Sequence, residues 1–213
     1  FLVAFFTLIL IAKLSYKPID SNPKIFSRIF PFELINHMDK GFSLYRIILF
    51  IFGALCFSPI FLVSKDLGLF QNFKVSAIMI SSVFGLAGIL LIFLHFFNPN
   101  NVKIHVILNV FYLAATMLAG LLTFGFSISL SKTQIDNGFG LPINIVFGGV
   151  ALFSVVAILI FCATGGLTKW AKLEKTEDGL RRPNVFPLAL LEWITTFALV
   201  IEETSFYLVL LKI

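Results

Sequence analysis

The sequence predicts an all-α fold, a polytopic membrane helical bundle of about six transmembrane helices, and three observations lead to this prediction. Hydrophobic residues make up 59% of the 213 residues and charged residues only 13%, whereas soluble domains are about one quarter charged. The mean hydropathy is +1.00. The apolar residues also form continuous runs of about 20 residues, the length that a helix needs to cross a bilayer. Because lipid offers the backbone no hydrogen-bonding partner, we expect these runs to be helices.

A window of about 19 residues finds six such runs. The first is too short to span a bilayer from Phe1, so we expect residues upstream of the quoted sequence to complete it. The alternative for this run, a cleaved signal peptide, would need a basic leader and a nearby small-residue cleavage site, which the run lacks. The connections are too short to form a second domain, so we expect residues 1–213 to be a single transmembrane helical domain. The predicted spans are 1–14, 44–64, 75–97, 104–126, 143–164 and 187–211.

The positions of lysine and arginine predict an orientation for the spans. Twelve of the 16 basic residues lie on the side of the first, third and fifth connections, and the other four are Lys65, Lys74, Lys132 and Lys212. The positive-inside rule then places those three connections in the cytoplasm and both termini on the opposite side. We interpret the net charge of +5 as this topology signal, with contact to anionic headgroups, rather than as nucleic-acid binding. The sequence therefore describes an integral, multi-pass membrane protein.

Polar residues follow one face of the fourth span. His105, Asn109, Tyr112 and Thr116 are spaced four, three and four residues apart. At about 100° per residue they fall within roughly 60° of arc. One reading is a functional stripe that runs from the membrane surface toward the middle of the bilayer. The other is that His105 lies at the headgroups while the hydroxyl groups bond to neighbouring helices.

The sixth span carries two glutamates on one face, with Thr196 between them. Glu192 and Glu203 are eleven residues apart, which places them roughly 16 Å apart along the helix axis. Two carboxylates that act on one bond lie about 5 to 9 Å apart, so we predict no catalytic pair. The alternative is that Glu192 bonds near one interface while Glu202 and Glu203 extend toward the other.

Together these stripes predict a polar intramembrane pocket between the fourth and sixth spans, because ionisable groups within spans usually face the bundle interior. The predicted ligand-binding residues are His105, Asn109, Tyr112, Glu192, Thr196 and Glu203.

Other residues within the spans have simpler interpretations. Cys56 and Cys162 lie in separate spans, and we interpret both as small apolar packing residues. Ser81, Gly85 and Gly88 form a small-residue face that favours close helix packing. No Cys/His cluster with metal-ligand spacing occurs in the sequence, so we expect no metal site and no cofactor.

A resemblance to a known family covers nearly the whole chain in layout. Tyr16 and Asp20 lie in SYKPIDSNP after the first span, and His105 opens the fourth span in FFNPNNVKIHVILNVFY. Glu192 and Trp193 lie early in the last span in LALLEWITTF, after the acidic-glycine segment TEDGL. This layout resembles the six-span family that contains the DRAM autophagy modulators and the fibroblast-growth-factor-receptor-activating protein, with relatives that act on GPI anchors or plasma-membrane lipids.

The resemblance implies a protein that handles membrane lipid or modulates a membrane-protein partner. It also implies that both termini lie in the cytosol, which is the reverse of the orientation predicted by the basic residues.

Three functional interpretations follow, besides a purely structural subunit of a membrane complex. The first, favoured by the resemblance, is lipid binding or handling through the polar pocket. The second is a proton- or ion-coupled transporter with Glu192 and Glu203 on its pathway, although the sequence shows neither the broken helices nor the paired halves of many transporters. The third is an intramembrane lipid enzyme that uses His105 and a glutamate as acid and base. No nucleophile elbow or zinc motif occurs, so we favour a protein that is not an enzyme.

Overall fold

The computed structural model confirms the predicted all-α helical bundle. Its helices are α1 (Leu2–Ser15), α2 (Phe42–Leu55), α3 (Pro59–Lys65), α4 (Lys74–Phe96), α5 (Val102–Gln134), α6 (Ile143–Gly165) and α7 (Pro187–Lys212). A two-stranded antiparallel hairpin, β1 (Glu174–Thr176) with β2 (Gly179–Arg181), precedes α7. The structure describes residues 1–15, 27–31, 33, 42–65, 73–96, 102–134, 143–165, 172–176, 179–181 and 183–212.

Five helical segments within this part of the chain are long and apolar enough to cross a membrane. The segment Leu2–Leu14 is apolar but shorter. These assignments rest on length and composition, and they establish a membrane-spanning helical bundle. That the whole chain forms one domain stays a prediction. The five long segments are Leu44–Phe61, Lys74–Phe96, Lys103–Lys132, Ile143–Thr164 and Pro187–Leu211.

The second predicted span, 44–64, contains two helices, α2 and α3, which a turn at residues 56–58 separates. The backbone N–H groups of Phe57 and Ser58 bond to the carbonyls three residues back, and α3 begins at Pro59. Proline has no N–H group and disfavours helical dihedrals in the residue before it, which accounts for the interruption. We predicted that the spans contain no broken helices, and this prediction is wrong for this segment.

The fourth span continues as a helix beyond its predicted end at residue 126. Helix α5 has 33 residues and reaches Gln134. The hydroxyl groups of Ser127 and Ser131 donate to the carbonyls of Thr123 and Ser127, at 2.7 and 2.8 Å. These bonds satisfy the serine side chains within the helix, so the polar residues at its end do not terminate it.

Helix α7 lies at the centre of the bundle. It contacts α1, α3, α4, α5 and α6, and 61% of its span is buried inside the protein, compared with 28% for the span of α6. Helix α5 packs against α4, α6 and α7. The polar side chains with which α5 and α7 face each other therefore lie in the interior rather than against lipid.

The small-residue face of α4 packs against α2 and the break that follows it. A Cβ atom added to Gly88 would collide with the carbonyl oxygen of Gly53, and one added to Gly85 would collide with the ring of Phe57. Glycine at these positions thus lets the two backbones approach closely, which is the packing role predicted for this face.

Candidate intramembrane polar site

A buried polar cluster joins α5 to α7. The Glu192 Oε1 atom lies 2.6 Å from His105 Nε2 and accepts a hydrogen bond of 2.7 Å from Asn109 Nδ2. One helical turn deeper, the Tyr112 hydroxyl donates to Thr196 Oγ1 at 3.2 Å. We call these five residues the α5–α7 cluster. It unites five of the six residues predicted from the sequence to bind a ligand.

Helical spacing explains why these side chains meet. Residues 105, 109 and 112 recur along one face of α5, and residues 192 and 196 lie one turn apart on α7. The two helices pack against each other, so each polar residue on α5 faces one on α7. The Thr196 hydroxyl also donates to the Glu192 carbonyl at 2.8 Å, which fixes its position within its own helix.

The α5–α7 cluster is sealed from both water and lipid. His105, Asn109 and Glu192 are each 1% exposed. A buried carboxylate is costly unless it accepts hydrogen bonds, and Glu192 accepts them from two donors on α5 when His105 carries its proton on Nε2. Removing either donor would leave this carboxylate incompletely paired in the interior.

A segment of the first connection, residues 27–31, covers the membrane-surface end of the cluster. The ring of Phe30 packs against His105 with centroids 4.6 Å apart. The Trp193 indole N–H donates to the Ile29 carbonyl at 2.8 Å, and the Tyr45 hydroxyl donates to the Pro31 carbonyl at 2.6 Å. In this conformation a ligand could reach His105 from that surface only if the segment moved.

Glu203, the sixth predicted residue, does not join the α5–α7 cluster. Glu202 and Glu203 are both 0% exposed, so the alternative that they extend to the membrane surface was wrong. Glu202 turns toward α6 and accepts a 2.5 Å hydrogen bond from the Ser154 hydroxyl. Glu203 turns toward α2, where the Cys56 thiol is nearby, but neither of its carboxyl oxygens has a hydrogen-bonding partner among the described residues.

Sequence reasoning did not identify a groove of about 400 Å³ between α2 and α4. Arg46 and His95 lie among otherwise apolar residues there, and Arg46 is exposed. The sequence contained a signal for it, because Arg46 lies inside the amphipathic beginning of a span. The groove is lined by Arg46, Ile47, Leu49, Phe50, Ile51, Ile92, His95 and Phe96.

Metal-ligating residues do not gather in the described part of the chain. None of its histidine, cysteine, aspartate and glutamate side chains form a group of three or more that could hold a metal ion. His105 contacts Glu192, whereas His95 lines the groove between α2 and α4.

Comparison with known proteins yields no match to a family model, to a curated protein or to a solved structure. The resemblance to the DRAM-containing family therefore stays a prediction. Of the residues that carry it, His105, Glu192 and Trp193 belong to the buried interior or its cover, whereas Tyr16 and Asp20 lie outside the described residues.

Proposed function

We propose that this multi-pass membrane protein binds a membrane lipid with an anionic headgroup in the groove between α2 and α4. The observation that carries the proposal is the placement of Arg46 and His95 at one end of an otherwise apolar groove on the outside of the bundle. A charged end with apolar walls matches a phospholipid, which has a phosphate at one end and hydrocarbon chains at the other.

The position of the two basic residues supports this ligand. Arg46 is the fifth residue of α2 and His95 is the penultimate residue of α4, and these two helices pack against each other. Each residue is therefore within about 8 Å of a helix end, close to the depth of lipid headgroups. Basic pockets between transmembrane helices bind anionic headgroups, and the guanidinium group matches phosphate geometry with two parallel hydrogen bonds.

The groove walls suit acyl chains. Ile47, Phe50 and Phe96 are all exposed on the surface of the bundle, with 56% exposure for Ile47 and Phe50. Side chains of this kind gain nothing from water but pack favourably against hydrocarbon, which is the environment that a lipid chain supplies.

The α5–α7 cluster has a different role in this proposal. Its hydrogen bonds fix α5 against the central helix α7, and the bundle is then rigid enough to keep α4 beside α2. The prediction that His105, Asn109 and Glu192 bind a ligand directly stays open, since the segment over residues 27–31 closes that route here. Membership of the DRAM-containing family, also a proposal, would fit a lipid ligand.

Lipid titration of the purified protein tests the proposal. Binding of phosphatidylserine and phosphatidylcholine would be measured by native mass spectrometry for the unaltered protein and for Arg46→Gln. We expect Arg46→Gln to weaken phosphatidylserine binding about fivefold, because one basic side chain near an anionic lipid contributes about 1 kcal/mol. Phosphatidylcholine binding should change less.

The matched control is Lys103→Gln. Lys103 is an exposed cation near the start of α5, and it does not line the groove. If Lys103→Gln weakens phosphatidylserine binding as much as Arg46→Gln does, the lipid is responding to surface charge in general, and a specific site in the groove is excluded.

A further inference from the structure

The break between α2 and α3 lies inside the span Leu44–Phe61. The N–H groups of Phe57, Ser58 and Ile60 all bond to carbonyls three residues back, so the regular helical pattern is lost over this turn. Irregular backbone at membrane depth is tolerated where protein buries it, and such breaks often contribute carbonyl oxygens to ion sites. The Ser58 hydroxyl at this turn hydrogen-bonds to the Leu55 carbonyl and to the Tyr207 hydroxyl of α7.

Glu203 faces this break from α7. Its side chain is 0% exposed, and neither carboxyl oxygen has a hydrogen-bonding partner among the described residues. The groups near it are the Cys56 thiol from α2 and the Tyr207 hydroxyl from its own helix.

The charge at this position is a single carboxyl group. Glu202 is adjacent in sequence but points away, toward Ser154 on α6. An isolated carboxylate is very unfavourable in the apolar interior, so the group must be neutralised by one positive charge. A divalent ion would leave an uncompensated positive charge in the same place.

We infer that Glu203, with the hydroxyl groups of Ser58 and Tyr207, forms a site inside the bundle for a small monovalent cation, either a proton or a sodium ion. A proton would convert Glu203 into a neutral carboxyl group beside the Cys56 sulfur. A sodium ion would take oxygen ligands from the carboxylate and the neighbouring hydroxyls, the kind of ligand that such ions have at broken helices. This site is separate from the lipid groove and does not depend on lipid binding.

Infrared difference spectroscopy of the purified protein in detergent tests the inference. Spectra would first be compared at low and high pH in choline chloride, and then at fixed pH with sodium chloride in place of choline chloride. We expect the band of a protonated carboxyl group to disappear as the pH rises and to be absent in Glu203→Gln. If sodium removes the band at fixed pH, the site takes sodium in competition with the proton, and if only pH removes it, the ligand is the proton.

The control variant is Glu202→Gln, which changes an equally buried glutamate next in sequence and should leave the Glu203 band in place. If no carboxyl band that depends on Glu203 changes with either pH or sodium, the group does not exchange a cation and the inference is wrong.

A second variant serves if Glu203→Gln does not fold. Cys56→Ser keeps the size of the side chain but replaces the thiol next to the carboxyl group with a hydroxyl. We expect it to shift the frequency of the titrating band, because a hydroxyl is a more polar neighbour of the carboxyl group than a thiol. A titrating band that does not shift would belong to another carboxyl group and would overturn the assignment to Glu203.

Discussion

Two side chains of α5 converge on Glu192. We expect their hydrogen bonds to Glu192 to be stronger than the nearby hydrogen bond from Tyr112 to Thr196. His105 and Asn109 both reach Glu192 Oε1, at 2.6 and 2.7 Å. Removing one partner so that a buried polar group is left unsatisfied costs about 1 to 3 kcal/mol in proteins. A neutral hydrogen bond between membrane helices, such as Tyr112 to Thr196, averages only about 0.6 kcal/mol.

A double-mutant cycle with His105→Ala and Glu192→Ala tests this difference. We expect each single variant to lower the free energy of unfolding by about 1 to 3 kcal/mol and the pair to show a coupling energy of about 1 to 3 kcal/mol. Tyr112→Phe, at the same helix interface, should lose about 0.6 kcal/mol. Equilibrium unfolding in mixed micelles gives all three values. Additive effects of His105→Ala and Glu192→Ala, within about 0.5 kcal/mol, would contradict a direct interaction.

Gly120 provides a second test with single residues, because it makes room for Glu202. A Cβ atom added to Gly120 would lie 2.5 Å from Glu202 Oε1 and 2.6 Å from a methyl group of Val155. Gly120→Ala is therefore expected to destabilise the protein by about 1 to 3 kcal/mol, the usual cost of overpacking.

Gly125 is the matched control for this substitution. It lies in the same helix, and nothing is within 4 Å of an added Cβ atom. Gly125→Ala should stabilise the helix by about 0.5 to 1 kcal/mol through its lower backbone entropy. If Gly120→Ala and Gly125→Ala change the unfolding midpoint equally, Glu202 does not occupy the space beside Gly120.

Helical spacing predicted the polar residues that face one another but not where every carboxyl group points. His105, Asn109 and Tyr112 repeat on one face of α5, so their common direction follows from 3.6 residues per turn. The directions of Glu202 and Glu203 depend on Ser154 and Cys56, which lie on other helices. The spacing within one helix contains no information about those partners.

At the scale of elements, the first connection is attached to the bundle by side chains of two helices. Tyr45 of α2 donates to the Pro31 carbonyl and Trp193 of α7 donates to the Ile29 carbonyl. These bonds hold residues 27–31 over the membrane-surface end of the α5–α7 cluster. Residues 27–31 should therefore move away from the α5–α7 cluster more often when either donor is removed.

Limited proteolysis with trypsin at Arg28 measures this opening. Each lost hydrogen bond costs about 0.5 to 1.5 kcal/mol, so Tyr45→Phe and Trp193→Phe should each speed cleavage at Arg28 by about 2- to 10-fold. Cleavage at Lys172, which is exposed in the fifth connection, serves as the internal control. An unchanged ratio of cleavage at Arg28 to cleavage at Lys172 would contradict the attachment.

The elements differ from their predicted bounds where local chemistry overrides hydropathy. Residues 44–64 are mostly apolar, yet Pro59 interrupts the helix because it lacks an N–H group. Serines near the end of α5 lower the hydropathy, yet their hydroxyls bond within the helix and allow it to continue. A window average registers neither effect.

At the scale of the whole molecule, composition predicted the environment and the fold class, because a chain so poor in charge can only be covered by lipid or by its own helices. The orientation in the membrane stays a prediction, with the basic residues and the family resemblance favouring opposite orientations. The groove between α2 and α4 could not be predicted, because it depends on which helices become neighbours. Neighbouring helices are set by packing in three dimensions, such as the contact of Gly88 with Gly53.

The measurement that tests lipid binding most directly is photo-cross-linking with an anionic phospholipid that carries a photoreactive group in its acyl chain. Cross-linked peptides would be identified by mass spectrometry for the unaltered protein and for Arg46→Gln. We expect cross-links concentrated on Phe42–Leu55 and the second half of Lys74–Phe96, and about fivefold fewer of them in Arg46→Gln. Cross-links spread evenly over the bundle, as frequent on the lipid-exposed surface of Ile143–Gly165 as on α2 and α4, would contradict a lipid site in the groove.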